Sequence, residues 1–573
     1  MLLQVRRFSG KNQKVVYKIM ANEQSRSVNS IRNTVFAAIA YVVKLLAQFV
    51  VRFVFIRYFV AEYLGVNGLF TNILNVLSLA ELGVGNAIVY SMYKPIAEND
   101  TEKIKSLVRL YRNLYLIIAL VIIVIGLALI PALPFLIKDA PNVDINLTVV
   151  YLLFLAQTAI GYFFAYRRSL VFAYQRNDVE SKVSLLAQCI LAVTQILIII
   201  FWKNFYAYTA AFVLCNALDA IIVFAVSYKL FPEIRGKAKK LEKSDSKIIA
   251  KNTGAMVCHK LGSAIVFSTD SIIISAFIGA AVLGYYSNYT LITAAMTSVV
   301  NLAMTAIKGS IGNLIAQKGA DEVYKIYQAL NFMLMWLVGF IAIGLIVCFQ
   351  HFIRLYTGQA EYVLGFTTMI LLCVSFYLTQ SRAITNNFKE CAGLFWNDRF
   401  KPLFESGINL GLDFLLVYFM GINGVIIATI ISTIAAPLWI EPYVLYKHYF
   451  KESLWHYFVR YLVYTVITLI VGGITYAICY SIPSDGLWWF LLRFAVCIIV
   501  PNALFLIIYF KMPEFKYLFG VIKSILHKKK ATEISDCANN EINETVTLGG
   551  QNETNENGEE ISQEGEISDG NTK

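Results

Sequence analysis

The chain has 573 residues, 58% of them hydrophobic and 15% charged, with a net charge of +12 and a mean hydropathy of +0.62. Soluble domains run at about 45–50% apolar residues, so this excess argues against a soluble protein and for one dissolved in lipid. The positive charge sits in short loops between apolar blocks, which makes it a topology signal with some attraction to anionic headgroups, and no nucleic-acid partner is expected.

Residues 1–30 are basic and polar, without the apolar run of a secretory signal, and Met20 is a second candidate start. Fourteen transmembrane helices are predicted, near 33–57, 64–93, 113–137, 147–167, 183–202, 206–229, 249–278, 284–309, 327–352, 362–382, 401–420, 423–446, 456–481 and 487–511. A helix needs about 20 mainly apolar residues to cross the hydrocarbon, and it alone satisfies its own backbone there. With the N-terminus in the cytoplasm and loops alternating, 40 of the 49 Lys and Arg residues fall inside and 4 outside. That is the bias of the positive-inside rule, and dropping one helix would invert every later loop. Both termini are therefore expected in the cytoplasm. The acidic stretch after Thr532 lacks the apolar residues to bury a core and is expected to be a disordered tail.

Within the first span, Tyr41, Lys44, Gln48 and Arg52 share one helix face. A charge at the bilayer centre costs roughly 2.5–3.5 kcal/mol on insertion scales. Lys44 and Arg52 should therefore face a wet cavity or a counter-charge such as Glu81 or Asp270; Arg52 could also snorkel outward. The second span has a polar stripe of Asn67, Thr71, Asn75, Ser78, Glu81 and Gly85, and the eighth has Thr290, Thr293, Thr297, Asn301 and Lys308. Such groups suit sugar hydroxyls if they line a lumen, and glue helices together if they do not. Asp219 and Asp413 either hold a coupling cation or proton or pair with a buried Lys or Arg, with pairing favoured. The seventh span carries His259, Lys260, Ser263 and Asp270; Lys260 faces the cavity or a packing ion pair, and His259 reads as a structural hydrogen-bonder. Gly407-x-x-x-Gly411 reads as close helix packing.

A shift of 219 aligns the two halves: Arg32-Asn33-Thr34 falls on Lys251-Asn252-Thr253, and Leu64-Gly65 on Leu283-Gly284. Thr71 meets Thr290 and Ser78 meets Thr297, while a shift of 220 puts Asn177-Asp178 on Asn397-Asp398. Six helices intervene, so the copies have the same orientation and the repeat is parallel. Repeats of this size mark secondary transporters, with the substrate site between the copies. The expected architecture is an all-α polytopic membrane protein: a basic segment 1–30, a six-helix bundle 31–230, a basic loop 231–248, a second bundle 249–446, two extra C-terminal helices 447–511 and a cytoplasmic tail 512–573. The nine cysteines form no CxxC pair and read as small buried hydrophobes, with no metal site or disulfide framework expected. No nucleotide-binding or hydrolase motif is present, so neither an enzyme nor a cofactor is expected.

The ordered segments LSLAELGVGNAIVYSMYKPIAEND (77–100), FAYQRND (172–178), CAGLFWNDRFKPLFESGINL (391–410) and GVIIATIIS…PLWIEPYVLYKHYF (424–450) resemble the capsule, exopolysaccharide and O-antigen repeat-unit flippases of the multidrug/oligosaccharidyl-lipid/polysaccharide (MOP) exporter superfamily. The resemblance covers about residues 27–510. It implies alternating-access transport of an undecaprenyl-pyrophosphate-linked oligosaccharide to the outer leaflet of a bacterial cytoplasmic membrane. Membrane lipids, and the polysaccharide polymerase and chain-length machinery, are the implied partners. The cavity would be lined by Lys44, Gln48, Arg52, Asn75, Glu81, Lys260, Asp270 and Asn301, with Asp219 and Asp413 as ion-coupling candidates and the last two helices guiding the lipid tail. A cation-coupled multidrug exporter is one rival, although it would favour an acidic first span. A peptidoglycan-precursor flippase is another. A membrane polymerase or ligase would be expected to have a large outer loop, and every outer loop here is short.

Overall fold

The computed structural model describes residues 39–78, 84–138, 143–174, 176–234, 236, 268–394, 396–483 and 486–520. Segment 1–30, Glu81, most of the 231–248 loop, His259, Lys260 and the acidic tail lie outside them. All regular structure among the described residues is helical. Helix α1 is Ile39–Tyr58, followed by α2 (Ala61–Leu77), α3 (Val84–Ala97), α4 (Thr101–Ala128), α5 (Leu147–Ala173), α6 (Asn177–Leu197) and α7 (Phe205–Leu230). Next come α8 (268–277), α9 (Ala280–Gln317), α10 (Ala320–Thr357), α11 (Phe366–Gln380), α12 (Ala383–Cys391), α13 (Lys401–Met420), α14 (Ile422–Ala435) and α15 (Pro437–Leu445). The last two are α16 (Leu454–Tyr480) and α17 (Leu487–Tyr509).

Eleven helical stretches among the described residues are long and apolar enough to cross a membrane, and they coincide with eleven of the fourteen predicted spans. The other three differ in form. Span 64–93 is described as α2 and α3 on either side of residues 79–83, which lie outside the described residues, and span 362–382 is α11 followed by α12 after a turn at Ser381 and Arg382. Span 249–278 is described only from Ser268.

Polar residues start these helices. Asp100 accepts from the Lys103 backbone N–H at 2.9 Å, and Asn204 accepts from that of Ala207 at 3.0 Å; such caps are worth about 1 kcal/mol each. Burial runs opposite to that of a soluble protein. On α4, Tyr111, Tyr115 and Ile122 face the interior, while Ile117, Leu120 and Val124 are 57–61% exposed. That apolar outer face would be costly in water and suits acyl chains.

By contact, the helices sort into two sets. In the first, α5 packs on α4 and α7, and α7 on α6; in the second, α14 packs on α13 and α11, and α12 on α9 and α15. The main contact between the sets is α2 against α9. A Cβ placed on Gly65 would lie 1.9 Å from the Ala280 carbonyl oxygen, and one on Gly284 would lie 2.1 Å from that of Ala61. Ala61 and Gly65 are related to Ala280 and Gly284 by the 219 shift, so the repeated helices cross each other reciprocally and only glycine allows the approach. Gly407 and Gly411, expected in close packing, meet nothing within 4 Å among the described residues. The tight contact beside α13 is instead at Gly424, where a Cβ would sit 2.2 Å from the Leu416 carbonyl oxygen. The cause is the α13–α14 turn, which folds at Gly421 with φ 56°.

The C-terminal pair docks on the second set. Trp336 Nε1 of α10 donates to Asn502 Oδ1 of α17 at 3.0 Å, and the Tyr377 hydroxyl of α11 bonds Thr465 Oγ1 of α16 at 2.9 Å. A separate unit begins at Ile508; its described part holds a short helix, 513–520, on which Phe515 and Phe519 stack.

Candidate functional site

Two of the three cations on helix α1, Lys44 and Arg52, reach different neighbours, while Arg57 lies over the Phe53 ring of its own helix. Lys44 Nζ donates to Ser184 Oγ of α6 at 2.6 Å, with Glu180 of the same helix within Coulombic reach. Arg52 donates to Ser287 Oγ of α9 at 2.7 Å, beside Tyr208, Tyr356 and Tyr362. Ser287 lies one turn beyond Gly284, so the close α2–α9 crossing brings it within reach of Arg52. The Tyr356 hydroxyl also donates to the Phe49 carbonyl at 2.6 Å, so α1 of the first set is held against the second. Gln48 is exposed between the two cations, and Asn75 on α2 and Asn301 on α9 are exposed beyond the crossing. Thr71 and Ser78 donate to carbonyls of their own helix, Asn67 and Leu74, leaving their hydroxyl lone pairs free to accept.

The two expected ion-coupling acids sit in opposite surroundings. Asp219 of α7 accepts from Arg168 of α5, whose Nε is also 3.1 Å from Glu180 Oε1. Arg168 and Asp219 border a cleft of about 330 Å³ between α5 and α7, lined also by Gln157, Thr158 and Asn216. Asp413 of α13 is fully buried and has no basic partner among the described residues. Its carboxyl acts on that of Asp270 from α8, and Tyr286 lies beside both. Thr429 of α14 donates to Asp270 Oδ2 at 3.1 Å and accepts from Asn409 Nδ2, one turn before Asp413, at 3.3 Å. Both Asp413 oxygens, Asp270 Oδ1 and Asn409 Oδ1 have no hydrogen-bond partner among the described residues. Two carboxylates, an amide oxygen and a hydroxyl from three helices make an oxygen-rich donor set, the chemistry that suits a hard cation.

Sequence reasoning missed a second ionic cluster. Glu441 of α15, fully buried, binds Arg382 at 2.6 Å and also Lys401, while Asp398 binds Lys389 and lies 3.9 Å from Lys401. Glu441 had left a signal, since an acid within the apolar run PLWIEPYVL needs a partner. An almost wholly apolar groove of about 480 Å³ lies between α10, α11 and α16, walled by Ile343, Ile346, Ile370, Val374 and Leu469 over Gly472 and Gly473. Of the two C-terminal helices expected to guide the lipid tail, α16 lines this groove. Trp488 and Trp489 instead sit exposed at the start of α17.

Residues 30–307 match the model of a family described as polysaccharide biosynthesis protein. Among solved structures, the lipid II flippase MurJ in an inward closed conformation superposes with a TM-score of 0.62 at 14% identity, covering 83% of this chain and 99% of that one. An inward-facing multidrug resistance MATE family transporter of the MOP superfamily gives 0.55 at 16% identity, over 70% and 94%. A Vibrio cholerae MATE transporter gives 0.53 at 15% identity, over 74% and 98%. At these identities the likeness is one of fold. No curated protein matches the chain by sequence.

Proposed function

We propose that this chain, a membrane transporter of the MOP superfamily by its fold and matched to a polysaccharide biosynthesis family over residues 30–307, flips a polyprenyl-pyrophosphate-linked oligosaccharide across a bacterial cytoplasmic membrane. The observation that carries this reading is the cations Lys44 and Arg52 on α1, with Arg52 reaching across to Ser287 where the two helix sets meet. Positive charge at low dielectric attracts a pyrophosphate far more strongly than it would in water. A cationic drug would be repelled there, which disfavours the multidrug reading.

The headgroup occupies the space beyond the α2–α9 crossing, where Gln48, Asn75 and Asn301 offer amides to sugar hydroxyls. Under the expected topology, the reciprocal contact of Gly65 and Gly284 closes the outer face. Transport requires that contact to part as the two sets rock about the repeat axis. The tail stays in lipid. Exposing it to water would cost about 0.8 kcal/mol per CH₂, and the groove between α10, α11 and α16 gives it an apolar wall. The Asp270, Asn409, Asp413 and Thr429 oxygens hold a monovalent cation that couples ion movement to the rocking.

The test is reconstitution of the full chain in proteoliposomes with a fluorescent polyprenyl-pyrophosphate oligosaccharide. The wild-type protein should move the lipid to the far leaflet, and Lys44→Ala and Arg52→Ala should lose most of that movement at unchanged abundance. Normal flipping by both variants would remove the cationic-site argument. A wild-type protein that moves a cationic dye but not the lipid would favour the multidrug exporter.

A further inference from the structure

We infer that Cys348, Cys479 and Cys497 form an oxidisable thiol site able to staple the C-terminal helix pair to the second helix set. The three come from different helices, α10, α16 and α17, and no sequence spacing links them. Cys348 Sγ lies 3.7 Å from Cys497 Sγ, and the Cys479 thiol contacts the same Cys497 sulfur. All three are free thiols and buried. The other described cysteines, Cys189, Cys215, Cys373 and Cys391, lie elsewhere in the fold.

A cavity provides access. Cys479 lines a cavity of about 310 Å³ together with His351, Tyr476 and Arg493. Arg493 places its positive charge beside Cys348 and Cys479 while donating to the Ile482 carbonyl in the α16–α17 turn. A neighbouring guanidinium offsets part of the cost of forming a thiolate in a buried site. A small-molecule disulfide is the oxidant. The Cys479 thiolate attacks one of its sulfurs, the oxidant's S–S bond breaks, and one half leaves as a thiolate with the electron pair. Cys497 then attacks the Cys479 sulfur and expels the second half, forming the Cys479–Cys497 bond. Cys348 can take Cys497 in turn, which frees Cys479. Overall, two protein thiols lose two electrons and two protons, and the oxidant becomes two thiols. A Cys348–Cys497 bond would tie α17 to α10. Tyr476 lines both this cavity and the apolar groove, so the staple would stiffen the groove wall. The chemistry does not depend on the transport reading.

The full chain in native membranes is treated with dithiodipyridine, the remaining thiols are alkylated, and peptides are analysed by mass spectrometry without reduction. The expected product joins the Cys497 peptide to that of Cys348, and a Cys479–Cys497 link alone, which stays within the C-terminal pair, would overturn the staple. Dithiothreitol should reverse it, and Cys497→Ser should lose it. Pyridyl adducts on separate thiols without a joined pair would overturn the proposal. So would three unreacted thiols in a sample where the partly exposed Cys391 has reacted.

Discussion

Asp219 and Asp413 look alike in the sequence, each an acid set deep in an apolar run, yet they occupy sites of opposite electrical character. Asp219 shares Arg168 with Glu180, two acids around one cation at the edge of a cleft. Asp413 faces a second acid, Asp270, and is surrounded by unpartnered oxygens with no basic residue among its described neighbours. Burying charge is costly unless it is neutralised. The first site therefore neutralises its charge largely through the chain itself, whereas the second finds no neutralising partner among the described residues and would take a cation or protons. Glu441, held by Arg382 and Lys401, is a more deeply buried counterpart of the Asp219 arrangement. Removing an acid should accordingly have opposite consequences at the two kinds of site.

The largest stability effect is expected at Glu441. Glu441→Ala would remove the acid in direct contact with two sequestered cations, leaving them only the more distant Asp398 and Glu405, a loss of about 3–5 kcal/mol. Thermal unfolding of the detergent-solubilised protein would read it as a large drop in melting temperature. A melting temperature close to wild type would mean that the cluster contributes little. Asp219→Asn should cost less, about 1–3 kcal/mol, because Arg168 keeps Glu180 and is partly solvated. The same scans check this, and the variant should still respond to added cation. Smallest in stability, and most informative, is Asp413→Asn. It removes one of two facing acids, so the melting temperature should move by no more than the equivalent of about 1 kcal/mol, in either direction. What it should abolish is the stabilisation of the wild-type protein by sodium relative to choline, worth about 1.4 kcal/mol at ten times the dissociation constant. An equal sodium response in Asp413→Asn, or its loss in Asp219→Asn instead, would break the comparison.

Much of the scaffold was legible before the structure. Apolar blocks such as 150–166 admit only helices in lipid, so their positions follow from length and composition. The repeat was legible too, since the Leu64-Gly65 to Leu283-Gly284 shift is the one that relates the crossing residues of α2 and α9. The helix ends within 64–93 and 362–382 were not legible. Hydropathy averages over a window, and a turn such as Ser381-Arg382 is set by what its side chains reach, here Glu441 for Arg382 and the Tyr461 hydroxyl for Ser381. Gly407 and Gly411 misled for a related reason. Small residues four apart permit a close approach but do not require one, and no described residue approaches there.

By itself, the sequence determined that this is a helical membrane protein, built on a parallel repeat, with cations on its first span and acids set deep in later ones. Hydrophobic length and charge placement are local properties, and the bilayer acts on them locally. Only the tertiary structure decided which charges meet. It gave Asp219 an arginine and Asp413 another acid, tied Arg52 to the second helix set, and gathered thiols from three distant helices. Electrostatic and covalent chemistry act over a few ångströms, and such distances between residues far apart in the chain are set by helix packing.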